Sequence, residues 1–167
     1  MTDERRLAKR TLVRDVHLQL DIGPTIVRQD EDLVTVARRA IAEPRTRVLS
    51  VVDADDRLVG VLPVLRVVEE IVAHVAPEDL MADVVDLESL SRFGRGVGSE
   101  VAGDLMSKAV ALRPESTITD AFRAMHEHRC SGLPVVDEDR RVIGYIDLLE
   151  LALQYLDALP PPDAQSV

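Results

Sequence analysis

The sequence predicts an α+β chain in which one small unit, of order β-α-β-β-α, occurs twice and packs on itself as a pseudo-twofold pair. Three observations predict it. The stretch VVDADDRLVG at 51–60 returns as VVDEDRRVIG at 135–144, an offset of 84 residues. Extended without a gap, that register pairs 31–72 with 115–156, and 15 of the 42 pairs are identical, where chance gives roughly two or three. Each copy also carries an apolar stripe at helical spacing, followed by two short apolar runs around an acidic turn. Two copies are too few for an open solenoid, and a unit of roughly 55 to 60 residues buries too little surface to be comfortable alone, so a closed pair is expected.

The elements follow in order. A short extended piece near 25–27 opens the first copy. Leu33, Val36, Ala37, Ala40 and Ile41 share one helical face, with Asp30 or Asp32 near the start and Pro44 beyond the end. Strands follow at 48–52 and 58–62, joined through Asp53, Asp55 and Asp56, residues that tolerate chain reversal. A second helix covers 64–75. In the second copy the extended piece lies near 109–112, and Ile118, Ala121, Phe122 and Met125 recur at i, i+3, i+4 and i+7, with Glu115 and Ser116 as capping candidates. Strands at 133–136 and 142–146 and a helix at 148–156 complete it. Both helices of a unit need one apolar face covered, so a small sheet with helices on one side is the economical arrangement. The organisation expected is an N-terminal segment at 1–22, first repeat 23–76, connection 77–100, second repeat 101–158 and flexible tail 159–167. The GRGVG run in the connection lacks a leading strand and reads as linker.

Composition narrows function. With 167 residues and 46% hydrophobic content, the chain can bury a core. A net charge of −10 disfavours phosphate backbones, and Phe93, Phe122, Tyr145 and Tyr155, with no Trp, give no base-stacking platform. No nucleic acid partner is expected. Cys130 is the only cysteine, which suits a reducing cytoplasm. The N-terminus lacks an apolar signal core, and no apolar run reaches the roughly 18 to 20 residues of a membrane span, so no direct membrane insertion is expected. His126, His128 and Cys130 do not complete a tetrahedral metal set. The Asp53 run lacks the Gly and bidentate Glu of a calcium loop and reads as a hairpin turn. No nucleophile elbow, Walker loop or zincin signature is present, so an enzyme is not expected.

The second copy, with DLM at 104–106, MHEHRCSGLPVVD at its centre and VIGYIDLLEL at its end, resembles a CBS domain, and the chain from about 13 to 157 is similar to a tandem CBS pair, or Bateman module. The first copy is more degenerate, with VRDVH at 13–17 for DLM and VLSVVD for GLPVVD. The resemblance implies a regulatory module with two clefts between the repeats, often dimeric, that holds AMP, ADP, ATP or S-adenosylmethionine and serves an enzyme or transporter partner.

The family's ribose-binding stretch, G-h-h-[ST]-x-x-D, falls here on Gly144 to Glu150. Glu150 stands at the ribose carboxylate, and Asp147 replaces the hydroxyl residue, which leaves ribose capture open and makes phosphate less welcome. The resemblance places the second-copy site at Ala109, Val110, Gly132, Leu133, Pro134, Tyr145, Asp147 and Glu150. In the first copy Pro63 and Arg66 stand at those two positions, so the ribose scheme fails; Arg66 and Arg47 either attract a phosphate or are solvated surface residues or partners for Glu69 and Glu70. A homodimer is expected. Two further readings stay open: a ligand-independent scaffold whose clefts are filled by its own side chains, and a magnesium sensor in which cations relieve carboxylate repulsion.

Overall fold

A computed structural model of the chain describes residues 10–16, 22–75 and 100–156. The sequence readings of the connection, the GRGVG run and the tail lie outside the described residues. Two compact units are formed, one from 25–109 and the other from the residues before 25 together with those from 110 onward. Both are α+β.

The first unit is a four-stranded sheet in the order β1-β2-β3-β4. Strand β1 (Ile26–Arg28) runs parallel to β2 (Val48–Val52), with Ile26 opposite Ser50, and helix α1 (Leu33–Ala42) lies between them in the chain. Of the two residues offered by the sequence, Asp32 caps α1, its side chain accepting the Thr35 N–H at 3.0 Å. The hairpin from β2 to β3 (Leu58–Pro63) turns at Asp53, whose Oδ1 accepts from the N–H groups of Asp55 and Arg57, both at 2.9 Å. The acidic run is therefore turn chemistry, and Asp56 takes the left-handed conformation, φ 61°. Helix α2 (Val64–Val75) follows directly. Leu33 and Val36 of α1, Leu49 and Val51 of β2, Leu62 of β3 and Val67 of α2 meet in one core.

Residues 101–108, which the expected organisation places at the start of the second repeat, pack within this first unit. Helix α3 (Ala102–Leu105) is tied by the Ala102 N–H to the Glu31 carbonyl at 2.9 Å and by the Gly103 N–H to the Gln29 carbonyl at 2.8 Å. Strand β4 (Ser107–Lys108) then pairs with β3, Gly60 opposite Lys108. Without β4, the outer side of β3 would be an open edge with unpaired backbone groups. Gly60 makes the approach possible: a Cβ there would run into the Met106 thioether and stand 2.9 Å from the Ser107 carbonyl oxygen.

The second unit mirrors the exchange. Strand β5 (Gly132–Val136) and strand β6 (Val142–Asp147) form its hairpin, turned by Asp137 Oδ1 accepting the Arg141 N–H at 2.8 Å. Leu112 bridges Val135 in parallel, donating to the Pro134 carbonyl and accepting from Val136, each at 2.9 Å. It holds the place that β1 holds in the first unit. Upstream residues join here as well: Leu12 bridges Thr117, the Val13 N–H bonds the Ser116 carbonyl at 2.8 Å, and Val13 and Val16 are buried beside Leu112, Ile118, Leu133 and Ile146.

Helix α4 (Ile118–His128) corrects the capping expectation. Thr117 is its cap: Thr117 Oγ1 accepts the Asp120 N–H at 3.2 Å, and Asp120 accepts the Thr117 N–H at 3.0 Å. Ser116 instead accepts the Arg113 N–H at 3.1 Å, one turn too early. The helix stops at His128, and Arg129 adopts φ 51°, so Cys130 lies off the helix and not one turn above His126. Helix α5 (Leu148–Leu156) closes the unit.

Candidate functional site

Strand alternation divides the β5–β6 hairpin into two faces. Leu133, Val135 and Ile146 point into the core beneath the helices. By the same alternation Gly132, Pro134, Tyr145 and Asp147 share the opposite face, in the registered pairs Gly132 with Asp147 and Pro134 with Tyr145. All four are buried. Of the eight second-copy residues named from the sequence, these four come together, with Glu150 at the head of α5. Leu133 belongs to the core instead, Val110 packs partly buried against the same core, and Ala109 falls within the other unit.

The polar centre is made by α5's own start. Asp147 Oδ1 accepts the Leu149 N–H at 2.9 Å, and Glu150 Oε2 accepts the Asp147 N–H at 2.9 Å. Asp147 thus caps α5 through the N–H two residues on, and Glu150, three residues on, reaches back to the backbone of the cap. Both carboxylates are 0% exposed. The Tyr145 hydroxyl donates to Asp147 Oδ2 at 3.3 Å. Its ring lies over Gly132, where a Cβ would collide with the phenol oxygen. Two buried carboxylates and a phenol thus converge opposite a residue with no side chain. Carboxylate oxygens are acceptors, the partners that hydroxyl donors require. Every described arginine of this unit is exposed.

The matching head of α2 in the first unit carries no carboxylate. Pro63 ends β3, the Val64 N–H bonds the Arg47 carbonyl at 2.9 Å, and the side chains of Arg47 and Arg66 are exposed. Two other hollows lie in this unit. One of about 460 Å³ contains Arg28 and Arg39, already engaged with Asp56 at 3.2 Å and Glu31 at 2.9 Å. The other, about 410 Å³, is an apolar groove between α1 and α2 lined by Ala37, Ile41, Val64, Val68 and Val72 among others, with Ile41 74% exposed. The sequence reading missed both: Ile41, placed by spacing on the apolar face of α1, is left outside the core, and it marks the second together with the exposed Val72. No group of three potential metal ligands occurs among the described residues.

The family model for the CBS domain matches residues 101–156. The second repeat is thus similar to a CBS domain. A curated relative, Uncharacterized protein MJ1426 of Methanocaldococcus jannaschii, is 27% identical over 145 residues, 76% of this chain and 84% of its own length. A CBS domain-containing protein from Thermotoga maritima shares the fold with a TM-score of 0.70 and 23% identity, over 91% of this chain and 98% of that one. The CBS domain pair of protein MJ0100, solved in complex with 5′-methylthioadenosine and S-adenosyl-L-methionine, matches with a TM-score of 0.64 and 17% identity, over 89% and 98% of the two chains. The fold expected of a CBS pair is therefore present, and it extends over the first repeat, which the family model does not reach. Among the described residues no helix is long and apolar enough to cross a membrane.

Proposed function

We propose that this protein is a non-catalytic regulatory module whose second repeat binds an adenosine-type compound at the head of α5. The observation that carries the reading is the fully buried pair Asp147 and Glu150, placed beside the Tyr145 hydroxyl and opposite bare Gly132. Ribose hydroxyls are donors that suit such acceptors. Phosphates are not: a nucleotide phosphate near Asp147 and Glu150 would meet two carboxylates, and every described arginine of this unit is exposed. Among adenosine compounds the site accordingly favours those without phosphate, 5′-methylthioadenosine or the cationic S-adenosylmethionine, over AMP, ADP or ATP. The structural relative solved with the first two supports the class.

The module would act as a homodimer in the cytoplasm, on an enzyme or transporter that reads the ligand-induced change; the apolar α1–α2 groove is a face suited to a second copy. Signalling requires different ligand affinities in two arrangements of the protein. One observation favours a second reading, a ligand-independent scaffold: the Tyr145 ring already fills the space over Gly132.

Thermal denaturation with 5′-methylthioadenosine, S-adenosylmethionine, AMP, ATP and Mg²⁺ separates the readings. Stabilisation by the phosphate-free compounds, about 3 kcal/mol at a hundredfold excess over Kd and lost in Glu150→Ala, is expected. Silence toward every compound would establish the scaffold, and a response to Mg²⁺ alone would establish cation sensing.

A further inference from the structure

Tyr145 holds a place that the second repeat has cleared for it. The repeat register sets Gly132 and Tyr145 against Val48 and Val61 of the first repeat. The two pairs exchange bulk: the first repeat has two medium side chains, the second a bare backbone and a large ring. The ring occupies the space over Gly132, is 0% exposed, and presents its hydroxyl to Asp147. That hydroxyl bond is 3.3 Å long, against roughly 2.7–2.8 Å for a well-made O–H···O bond. The phenol thus offers a flat ring to the hairpin face and a hydroxyl to the carboxylate, the two things an adenosine compound would offer.

Resting on the adenosine reading above, we infer that Tyr145 is an internal stand-in for the ligand, an autoinhibitory plug that leaves Gly132 and Asp147 when the ligand arrives. The ligand replaces both the ring packing and the hydrogen bond, and the displaced tyrosine is the change available to a partner. Affinity for the ligand is then set by how firmly Tyr145 is seated, since binding competence is limited by the fraction of molecules with the seat open.

The test is calorimetric titration of 5′-methylthioadenosine into the full chain and two variants. Tyr145→Val installs the first repeat's residue; Tyr145→Phe keeps the ring and its packing and deletes the hydrogen bond, so it stays folded even if the smaller residue is poorly tolerated. The plug predicts tighter binding by roughly three- to tenfold for Tyr145→Phe, the range of one hydrogen bond, and by more for Tyr145→Val. A spectroscopic readout accompanies it. The chain has two tyrosines and no tryptophan, so in a Tyr155→Phe background all tyrosine emission comes from Tyr145, and the ligand should expose it to acrylamide quenching. If the natural protein binds and neither variant binds tighter, with Tyr145 still shielded, the plug is overturned while the adenosine reading stands. If neither the natural protein nor a variant binds, the adenosine reading itself fails and the plug with it.

Discussion

Replacing Gly60 by alanine tests how residues 101–108 are held. The added methyl would stand 2.9 Å from the Ser107 carbonyl oxygen and would overlap the Met106 thioether. A flexible side chain can yield, and Met106 is only partly buried against the core, so its departure alone is affordable at about 1 kcal/mol, a part of the 1.5–3 kcal/mol of a fully buried Met. The Ser107 carbonyl is backbone, and moving it strains the β3–β4 ladder at Gly60–Lys108 and Val61–Ser107. Overpacking of this kind costs about 1–3 kcal/mol. The sum, roughly 2–4 kcal/mol, corresponds to a fall in Tm of about 5–15 °C for a chain of this size. Calorimetry measures it, with Gly23→Ala as control, because a Cβ on Gly23 meets nothing within 4 Å. Met106→Ala should recover part of the loss in the double variant, since it removes the clash with the thioether and leaves that with the carbonyl. A Gly60→Ala protein as stable as the Gly23→Ala control would refute the packing of β4 on β3.

Three further outcomes follow from the same physics. Asp147→Ala removes the cap of α5 and the carboxylate that accepts from the Leu149 N–H and the Tyr145 hydroxyl, and should cost about 2 kcal/mol by urea denaturation, whereas Asp147→Asn, still a capping residue, should cost less than half of that. Hydrogen bonds from the Thr35 and Thr117 side chains hold Asp32 and Asp120 below the usual carboxylate range; a lowered folded pKa gives stability that is present above about pH 4 and lost as pH falls through the folded value. The stability gap between the natural protein and an Asp32→Asn, Asp120→Asn variant should therefore shrink between pH 6 and pH 3 in denaturation curves. Burial pushes the Cys130 thiol up, so its reaction with a disulfide reagent at pH 8 should be slower in the native protein than in urea, by more than tenfold.

Much of the fold was legible because its signals are local. Asp53 and Asp137 sit at the same register position and make the same side-chain-to-backbone turn, so both hairpins could be read from the repeated acidic run. Asp30 and Asp32 announced the start of α1 without deciding between them, and the bounds of α2 and α5 follow from strands that end at Pro63 and Asp147. At α4, Ser116 and Thr117 are both capping types, and only the geometry shows that Thr117 pairs with Asp120 in the reciprocal box. The Thr117–Asp120 spacing was the available sign. Strand β4 could not be read at all: Ser107 and Lys108 carry no strand pattern, and their pairing depends on a backbone vacancy at Gly60, far away in sequence.

The site was legible in part for a related reason. Asp147-Leu-Leu-Glu150 reads equally as a ribose motif and as a helix start, and the structure shows the second role directly. Leu133 was named beside Gly132 and Pro134, yet period-two alternation sends it to the other face. The Gly132–Tyr145 exchange against Val48–Val61 was present in the repeat alignment, but only the packing of the ring over the glycine gives it meaning.

The central claim is that the head of α5 in the second repeat receives an adenosine compound. A crystal structure of the protein grown with 5′-methylthioadenosine tests it most directly. The account predicts ribose hydroxyls within hydrogen-bond distance of the Glu150 or Asp147 carboxylate and the Tyr145 ring moved off Gly132. A ligand bound elsewhere, or none, with Tyr145 still seated against Asp147, would contradict it.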